Sequence, residues 1–258
     1  MVLNNDNYFA PEFNMEFFGS SQIKSFLKCP AETMAELNGQ YERPTSKALM
    51  MGSYIDAYFS NEDAAFTDNH PEIFNSRTGE LKADYRKADE IIQRAEQDKM
   101  FMEYLGGISQ KIMTGELFGQ PFKIKMDSYF PDDKIVDLKV MKSLDPIWQD
   151  GERKTFIDAW QYDIQGFIYQ QVEKYNSGKE LPFYIAAITK EEHPNMAIIH
   201  IPQWKLNSAG EIIKHYLPEF ARIKAGDLEP TRCGKCGYCR DTKKLTDVME
   251  YEDLIEED

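Results

Sequence analysis

The stretch Lys123–Lys142, KIKMDSYFPDDKIVDLKVMK, carries the pattern of two β-strands joined by a turn. Lys123–Phe130 alternates in polarity and is rich in residues that favour strands, and Ile135–Val140 is a second run of this kind. Pro131–Asp133 between them supplies the residues of a tight turn. The sequence therefore predicts a β-hairpin at the centre of the chain.

The second predicted strand has one apolar and one charged face. Side chains alternate along a strand, so Val136, Leu138 and Val140 point to one side. Asp137 and Lys139 then share the opposite side. Such a pair is commonly a solvated, salt-bridged face, and that interpretation stays open at this point.

A third charged residue extends the pattern. Asp127 lies ten residues before Asp137, at the end of the regular part of the first strand, where it can meet Asp137 and Lys139. Two acids and a lysine on a sheet suit Mg²⁺-dependent hydrolysis of phosphodiesters. The carboxylate oxygens hold the metal, and the lysine positions or helps to activate a water.

Four more polar residues are candidates for the same site. Asp56 lies in an otherwise apolar predicted helix, where it is either a metal ligand or an exposed or capping residue. Glu116 is a possible further ligand, although exposed glutamates are common in hairpins. Gln165 and Tyr169 are spaced i and i+4 on a predicted helix, so they project from one face, one turn apart.

The cysteines form a metal-binding pattern. Cys233, Cys236 and Cys239 are separated by two residues each, and the fourth cysteine is Cys29. A disulfide framework is not expected in a cytosolic chain. Four thiolates suit a tetrahedral Zn²⁺ or an iron–sulfur cluster, and the alternative is three unrelated thiols with a core cysteine.

Charge is unevenly distributed along the 258 residues, whose net charge is −14. Residues 245–258 carry seven acids and residues 1–18 carry three, without a base, which leaves about −4 on the remainder. A local basic groove for DNA is not excluded, but a broad basic surface is absent. We expect an irregular acidic arm over 1–18, a single domain over 19–244 and a disordered or partner-docking tail over 245–258.

The predicted fold is α/β, with a mixed central sheet of about five strands flanked by helices and a helical N-terminal portion. The N-terminus has no signal-peptide pattern, and no apolar run is long enough to span a membrane. A cytoplasmic protein without a membrane partner follows.

The order of these elements resembles the PD-(D/E)xK nuclease superfamily in its RecB-like branch, and most closely the phage and prophage exonuclease VIII (RecE-like) domain. This resemblance implies the bacterial host cytoplasm as the location if a phage encodes the chain. The resemblance runs from about Ser20 to Lys244. It implies a restriction-endonuclease-like fold, with Asp127 and Asp137 as ligands of Mg²⁺ or Mn²⁺ and Lys139 as the catalytic lysine.

The resemblance also implies the supporting residues. The Leu138 carbonyl faces the metal, and Gln165 and Tyr169 match the Gln-x-x-x-Tyr helix that supports the active site and contacts DNA. Many relatives carry a histidine at the position of Asp56. An acid there can still bind metal, with Glu116 as a possible companion.

The implied activity is that of a metal-dependent exonuclease on linear double-stranded DNA ends, acting 5′ to 3′ in phage-type recombination. The implied partners are a RecT-type single-strand annealing protein and further copies of the chain in a ring. The alternative function is a non-catalytic DNA-binding module that keeps the fold. The missing histidine and the acidic balance favour that alternative slightly.

The cysteines carry a second resemblance, to the AddB-type and CRISPR-associated four-cysteine nucleases. One cysteine before the core and three after it bind a [4Fe–4S] cluster in those proteins. Cys29, Cys233, Cys236 and Cys239 match that arrangement, which implies a cluster that fastens the two ends of the domain together. Zn²⁺ is the alternative occupant.

Overall fold

The computed structural model describes residues 3–149, 151–246, 248, 250 and 251. Its strands are β1 (Ile108–Leu117), β2 (Gln120–Phe130), β3 (Lys134–Met141), β4 (Ile147–Gln149), β5 (Glu152–Lys154), β6 (Phe183–Thr189) and β7 (Met196–Ile201). The described residues form a five-stranded sheet in the order β1-β2-β3-β6-β7, and β4 pairs with β5 in a separate hairpin. β3 and β6 run parallel, whereas the other neighbouring strands are antiparallel. The predicted α/β class with a mixed five-stranded sheet is confirmed.

The helices cover both faces of this sheet. They are α1 (Pro11–Glu16), α2 (Ser20–Lys28), α3 (Pro30–Leu37), α4 (Lys47–Phe59), α5 (Asp63–Asn69), α6 (Lys87–Glu96), α7 (Lys99–Leu105), α8 (Phe156–Ala159), α9 (Tyr162–Ser177), α10 (Gln203–Ala225) and α11 (Gly237–Asp241). Short 3₁₀-helices cover Pro71–Ile73 and Ala83–Tyr85. No helix in the described part of the chain is long and apolar enough to cross a membrane.

Two hydrophobic cores lie on opposite sides of the sheet. Phe26 of α2 and Ile168 of α9 belong to the first core, and Ile55 of α4 and Ile91 of α6 belong to the second. The helices of these two cores bury apolar side chains against the sheet, and this burial is the main stabilising contribution.

β3 contributes alternately to the two cores. Val136 and Leu138 lie in the core of α4 and α6, whereas Ile135 and Met141 lie in the core of α2 and α9. The predicted alternation of side chains along β3 is therefore confirmed. Asp137 and Lys139 point to the face of the sheet that α9 covers.

The N-terminal arm differs from its prediction. Residues 1–18 were expected to be irregular, but the chain forms α1, and Tyr8, Phe13 and Phe18 are buried. Phe18 forms a parallel bridge with Phe122 of β2. The prediction of an irregular arm is wrong for Pro11–Glu16, whereas residues 3–10 form turns without a helix or strand. Burial of these aromatic rings offsets the entropy lost on ordering the arm.

The sequence predicts one helix over 84–105 and another over 156–176, and both are interrupted in the structure. In the first, Asp98 accepts a hydrogen bond from the Phe101 backbone N–H and caps a new helix, α7. Gln161, with a left-handed φ of 53°, separates α8 from α9. The acidic tail 245–258 lies largely outside the described residues, and its disorder stays a prediction.

Candidate active site

The two acids lie where β2 and β3 separate. Pairing between these antiparallel strands runs from Phe130 to Ser128, which faces Val136. The next position in each strand is Asp127 and Asp137. There the Leu138 backbone N–H donates to Asp127 Oδ2 at 2.9 Å instead of to a strand carbonyl. The Asp127 side chain therefore takes the place of a strand-to-strand hydrogen bond next to Asp137.

Asp137 is held from both sides. It is 1% exposed, and the Gln165 side-chain amide on α9 donates a 2.7 Å hydrogen bond to its Oδ1. The Lys139 ammonium lies against its Oδ2. A buried carboxylate with a cation and an amide donor has a fixed orientation, which a ligand to a metal ion needs.

Lys139 contacts the groups that the sequence assigned to a metal. Its ammonium donates to the Leu138 carbonyl at 3.3 Å and lies 5.2 Å from the centre of the Tyr162 ring. Burial acts to lower the pKa of Lys139, but the Asp137 and Asp127 carboxylates outweigh it and raise that pKa above its usual value. The lysine is therefore a cation at the site.

Asp56 lies in the last turns of α4 and lines the same cleft as Asp127, Asp137 and Lys139. Burial raises its pKa to about 6, with Lys139 opposing and Asp137 reinforcing the shift. Burial, together with Asp137 and Asp56, also raises the pKa of Asp127 well above its usual range. When ionised, the three carboxyl groups carry more negative charge than the single neighbouring lysine neutralises.

This donor set fits a divalent metal ion. Carboxylate oxygens of Asp127 and Asp137 and the Leu138 carbonyl are hard oxygen ligands, which Mg²⁺ and Mn²⁺ prefer. The Lys139 ammonium already contacts an Asp137 oxygen and the Leu138 carbonyl, so these atoms converge on a cation. The raised pKa values of Asp56 and Asp127 indicate that further positive charge would stabilise the ionised carboxylates.

Tyr169 supports the strand that carries Asp127. Its hydroxyl donates to the Lys125 carbonyl on β2 at 2.8 Å, and its ring is 7% exposed. Gln165 and Tyr169 both line the cleft, one turn apart on α9, as their spacing predicts. The helix therefore contacts β3 through the amide and β2 through the phenol.

Glu116 does not lie with the other candidates. It is exposed on β1 and pairs with Pro121, six residues along β2 from Asp127. At the rise of a strand this separation is about 20 Å. The structure therefore does not bring Glu116 into the cleft, and the acid on α4 is the nearer candidate.

The cleft itself has a volume of about 1210 Å³, and its lining residues run in sequence from Tyr8, before α1, to Lys190, just after β6. The cleft residues that the sequence does not identify include Gln110 on β1, Glu62 after α4 and Lys125 on β2. Lys125 and Glu62 form an ion pair of 3.6 Å. The alternation of β2 placed Lys125 beside Asp127, but nothing in the local sequence marks Gln110 or Glu62.

The four cysteines form a second centre away from these acids. Cys29 begins α3, and the other three lie in and just before α11. All four sulfur atoms lie within 4.8 Å of one another. Cys29 Sγ is 3.6 Å from Cys239 Sγ and 3.7 Å from Cys236 Sγ, and Cys233 Sγ is 4.0 Å from Cys239 Sγ.

These separations fit a single metal ion. With zinc–sulfur bonds of 2.3 Å, neighbouring sulfurs of a tetrahedral site are about 3.8 Å apart. A [4Fe–4S] cluster places each thiolate on a different iron, so its cysteine sulfurs lie farther apart than the ligands of one ion. The structure therefore confirms a four-cysteine cluster, and its spacing matches the mononuclear case.

Comparison with known proteins places the whole arrangement in a family. Residues 19–242 match the model of a PDDEXK-like domain of unknown function (DUF3799). A crystal structure from Eubacterium rectale, of a protein described as a "putative exonuclease", superposes with a TM-score of 0.93 at 43% identity, covering 98% of each chain.

A second structure, of SSO0001, matches 76% of this chain and 84% of the SSO0001 chain at 10% identity. Its TM-score of 0.27 is too low to support any inference. None of the curated proteins compared with the sequence matches it. The family model alone covers most of the chain. The chain therefore belongs to the PDDEXK-like domain family.

Proposed function

We propose that the chain is a divalent-metal-dependent nuclease that hydrolyses phosphodiester bonds of DNA. The observation that carries this proposal is the convergence of Asp127, Asp137 and Lys139 at the point where two strands separate, inside a large cleft. The Eubacterium rectale protein, which is 43% identical, supports the exonuclease class.

The residues have separate tasks in this proposal. Asp127, Asp137, Asp56 and the Leu138 carbonyl would hold a divalent metal ion, which would offset charge on the scissile phosphate and lower the pKa of a water. The Lys139 ammonium donates a hydrogen bond to the attacking water or to a phosphate oxygen and orients it.

Gln165 and Tyr169 act without touching the reacting atoms. The 2.7 Å hydrogen bond from the Gln165 amide fixes the rotamer of Asp137. The 2.8 Å bond from the Tyr169 hydroxyl fixes the backbone of β2 two residues before Asp127. Both acids are thus pre-oriented, so little reorganisation is needed when substrate enters.

The finer function follows from the RecE-like resemblance. We propose that the substrate is the end of linear double-stranded DNA, degraded 5′ to 3′, and that a RecT-type annealing protein takes up the exposed strand. Cleft lysines such as Lys125 and Lys190 provide local positive charge despite the net charge of −14. A ring of several copies is part of the same proposal.

The test is digestion of linear duplex labelled at either the 5′ or the 3′ end, with Mg²⁺ or Mn²⁺. We expect early release of the 5′ label and no cleavage of covalently closed circles. Asp137→Ala and Lys139→Ala should each reduce the rate by at least about 100-fold. Early release of the 3′ label would reverse the polarity, and equal cutting of circles would make the protein an endonuclease.

A non-catalytic DNA-binding module is the second candidate. Asp56 at the position where many relatives carry histidine favours it, because that exchange alters the ligand set. The discriminating result is duplex binding without digestion by any divalent metal. The buried, cation-contacting Asp137 favours the enzyme, since a binding module has no need of a strained cluster of acids.

For the cysteines we propose one Zn²⁺ in place of the [4Fe–4S] cluster that the family resemblance implies. The sulfur separations of 3.6–4.0 Å support the single ion. A colourless preparation with about one zinc per chain is the expected result. Anaerobic preparation giving a brown protein with a band near about 400 nm would restore the iron–sulfur assignment.

A further inference from the structure

The side chain of Gln110 is buried in the wall of the cleft, in a backbone conformation that glutamine rarely adopts. It is 8% exposed, and its φ is 51°, in the left-handed region. Within β1 such a conformation interrupts the extended backbone and is unfavourable for a residue with a Cβ. The conformational free energy of a left-handed backbone is tolerated where the surrounding structure requires the side chain to point in one direction.

The position of Gln110 in the sheet relates it to the acids. The register pairs Ser109 with Ser128 and Lys111 with Met126, so Gln110 stands opposite Asp127. The inverted backbone occurs beside the first proposed metal ligand. The distortion is therefore local to the active site, while the strand pairing on both sides of it is regular.

The side-chain amide of Gln110 connects the sheet to α4. Its Nε2 donates to Ser60 Oγ at 2.6 Å. Ser60 is the residue that ends α4, and its backbone N–H donates to the Asp56 carbonyl at 2.9 Å. The chain of contacts thus runs from β1 through Ser60 to the last turn of the helix, which begins at Asp56.

A second contact joins the same helix end to the sheet. Glu62, two residues after Ser60, forms the 3.6 Å ion pair with Lys125 of β2. That pair is partly exposed and is worth little by itself. The hydrogen bond from the Gln110 amide to Ser60 Oγ is part-buried, and a hydrogen bond depends more strongly on direction than an ion pair does.

We infer that Gln110 is a positioning residue that sets the distance of Asp56 from Asp127 and Asp137. This inference rests on the proposed function, since it concerns the affinity of the same acids for a divalent metal. Asp56 approaches from a helix, whereas the other two acids belong to the sheet. The Gln110 side chain links these elements by a part-buried hydrogen bond at the site.

The variant Gln110→Gly separates the side chain from the backbone. Glycine adopts a positive φ without steric cost, so relief of the backbone strain offsets part of the stability lost with the side-chain hydrogen bond. The tie to Ser60 is lost at the same time. We expect Mn²⁺ binding, measured by calorimetry or by the electron paramagnetic resonance of the free ion, to weaken about tenfold. The thiolate site does not compete, because Mn²⁺ prefers oxygen ligands.

Two further variants test the path through Ser60. Ser60→Ala removes the acceptor and should weaken Mn²⁺ binding as Gln110→Gly does, whereas Ser60→Thr keeps the hydroxyl and should restore it. The double variant should be no weaker than either single variant, because both remove one interaction.

Gln161→Gly is the matched control. Gln161 is also a glutamine with a left-handed φ, 53°, but it does not line this cleft. Its replacement should leave Mn²⁺ affinity unchanged. Equal Mn²⁺ affinity of the wild type and Gln110→Gly would overturn this inference and leave the proposed function untouched. A wild type that binds no Mn²⁺ and digests no DNA would overturn the proposed function and the inference with it.

Discussion

The Gln165 side-chain amide lies 2.7 Å from Asp137 Oδ1, and this bond joins α9 to the strand at the centre of the sheet. Gln165 and Asp137 are 28 residues apart in sequence. The helix therefore fixes the orientation of a carboxylate that is itself almost fully buried. The proposed activity depends on this relationship as much as on the acids.

Gln165→Ala should reduce nuclease activity by about 10–100-fold, the range expected for loss of a partner that orients a metal ligand. The expected cause is that Asp137 loses the donor to its Oδ1 and is oriented by Lys139 alone, so the concentration of Mg²⁺ for half-maximal rate should rise. Gln171→Ala, a part-buried glutamine on the same helix, is the control. An unchanged Mg²⁺ requirement in Gln165→Ala would contradict the assigned role.

Tyr169→Phe should cost about 0.5–1.5 kcal/mol of unfolding free energy, because one buried hydrogen bond to the Lys125 carbonyl is lost. Urea denaturation measures this difference. Tyr175→Phe, whose ring is 64% exposed, should have no such effect. If both variants unfold at the same urea concentration as the wild type, the Tyr169 hydroxyl does not stabilise β2.

Glu116→Ala should leave nuclease activity and its metal requirement unchanged. The side chain is exposed and lies about 20 Å along the sheet from Asp127, beyond the reach of a shared metal ion. Asp56→Ala, in contrast, should raise the metal requirement. Parallel metal titrations of the two variants decide which acid completes the site, and a loss of activity in Glu116→Ala would argue for a different arrangement of β1.

Lys224 predicts a pH dependence of stability. Burial and the nearby Lys123 lower its pKa to about 7, while its ammonium donates to the Phe17 carbonyl and to Gln22. Between about pH 7 and 10.5 the unfolded chain holds a proton that the folded chain has lost. The free energy of unfolding contributed by this group therefore rises with pH over that interval.

The measurement compares wild type with Lys224→Met, which lacks this titration. From pH 7 to pH 10 the wild type should gain stability relative to the variant in urea denaturation. Parallel pH profiles would show that Lys224 titrates normally. Lys28→Met, on the last turn of α2 and exposed, serves as a control for removal of a lysine.

Much of the site was predictable because two short periodicities carry it. The alternation of β3 places Asp137 with Lys139, and the i, i+4 spacing places Gln165 with Tyr169, independently of the rest of the fold. The mixed sheet followed from the same strand pattern. These relationships are local, so the sequence contains them directly.

The features that could not be predicted depend on the register of the strands and on unusual backbone conformations. The sequence makes Glu116 a possible ligand, but the register of β1, which pairs Glu116 with Pro121, decides that it lies far from Asp127. Gln110 has a positive φ that its residue type does not indicate. The N-terminal arm was misjudged because its acids were counted while the packing of Tyr8 and Phe18 on the body requires the complete fold.

The cysteine cluster has a consequence for biosynthesis. Cys29 and Cys239 are separated by 210 residues, and yet their sulfurs lie 3.6 Å apart. A ribosome delivers the first ligand 210 residues before the last one. Cys29 therefore has no thiolate partners until the intervening residues have been synthesised. A complete four-thiolate metal site can therefore form only after residue 239 has been synthesised. In a chain that is terminated before this residue, Cys29 lacks at least one of its partner cysteines.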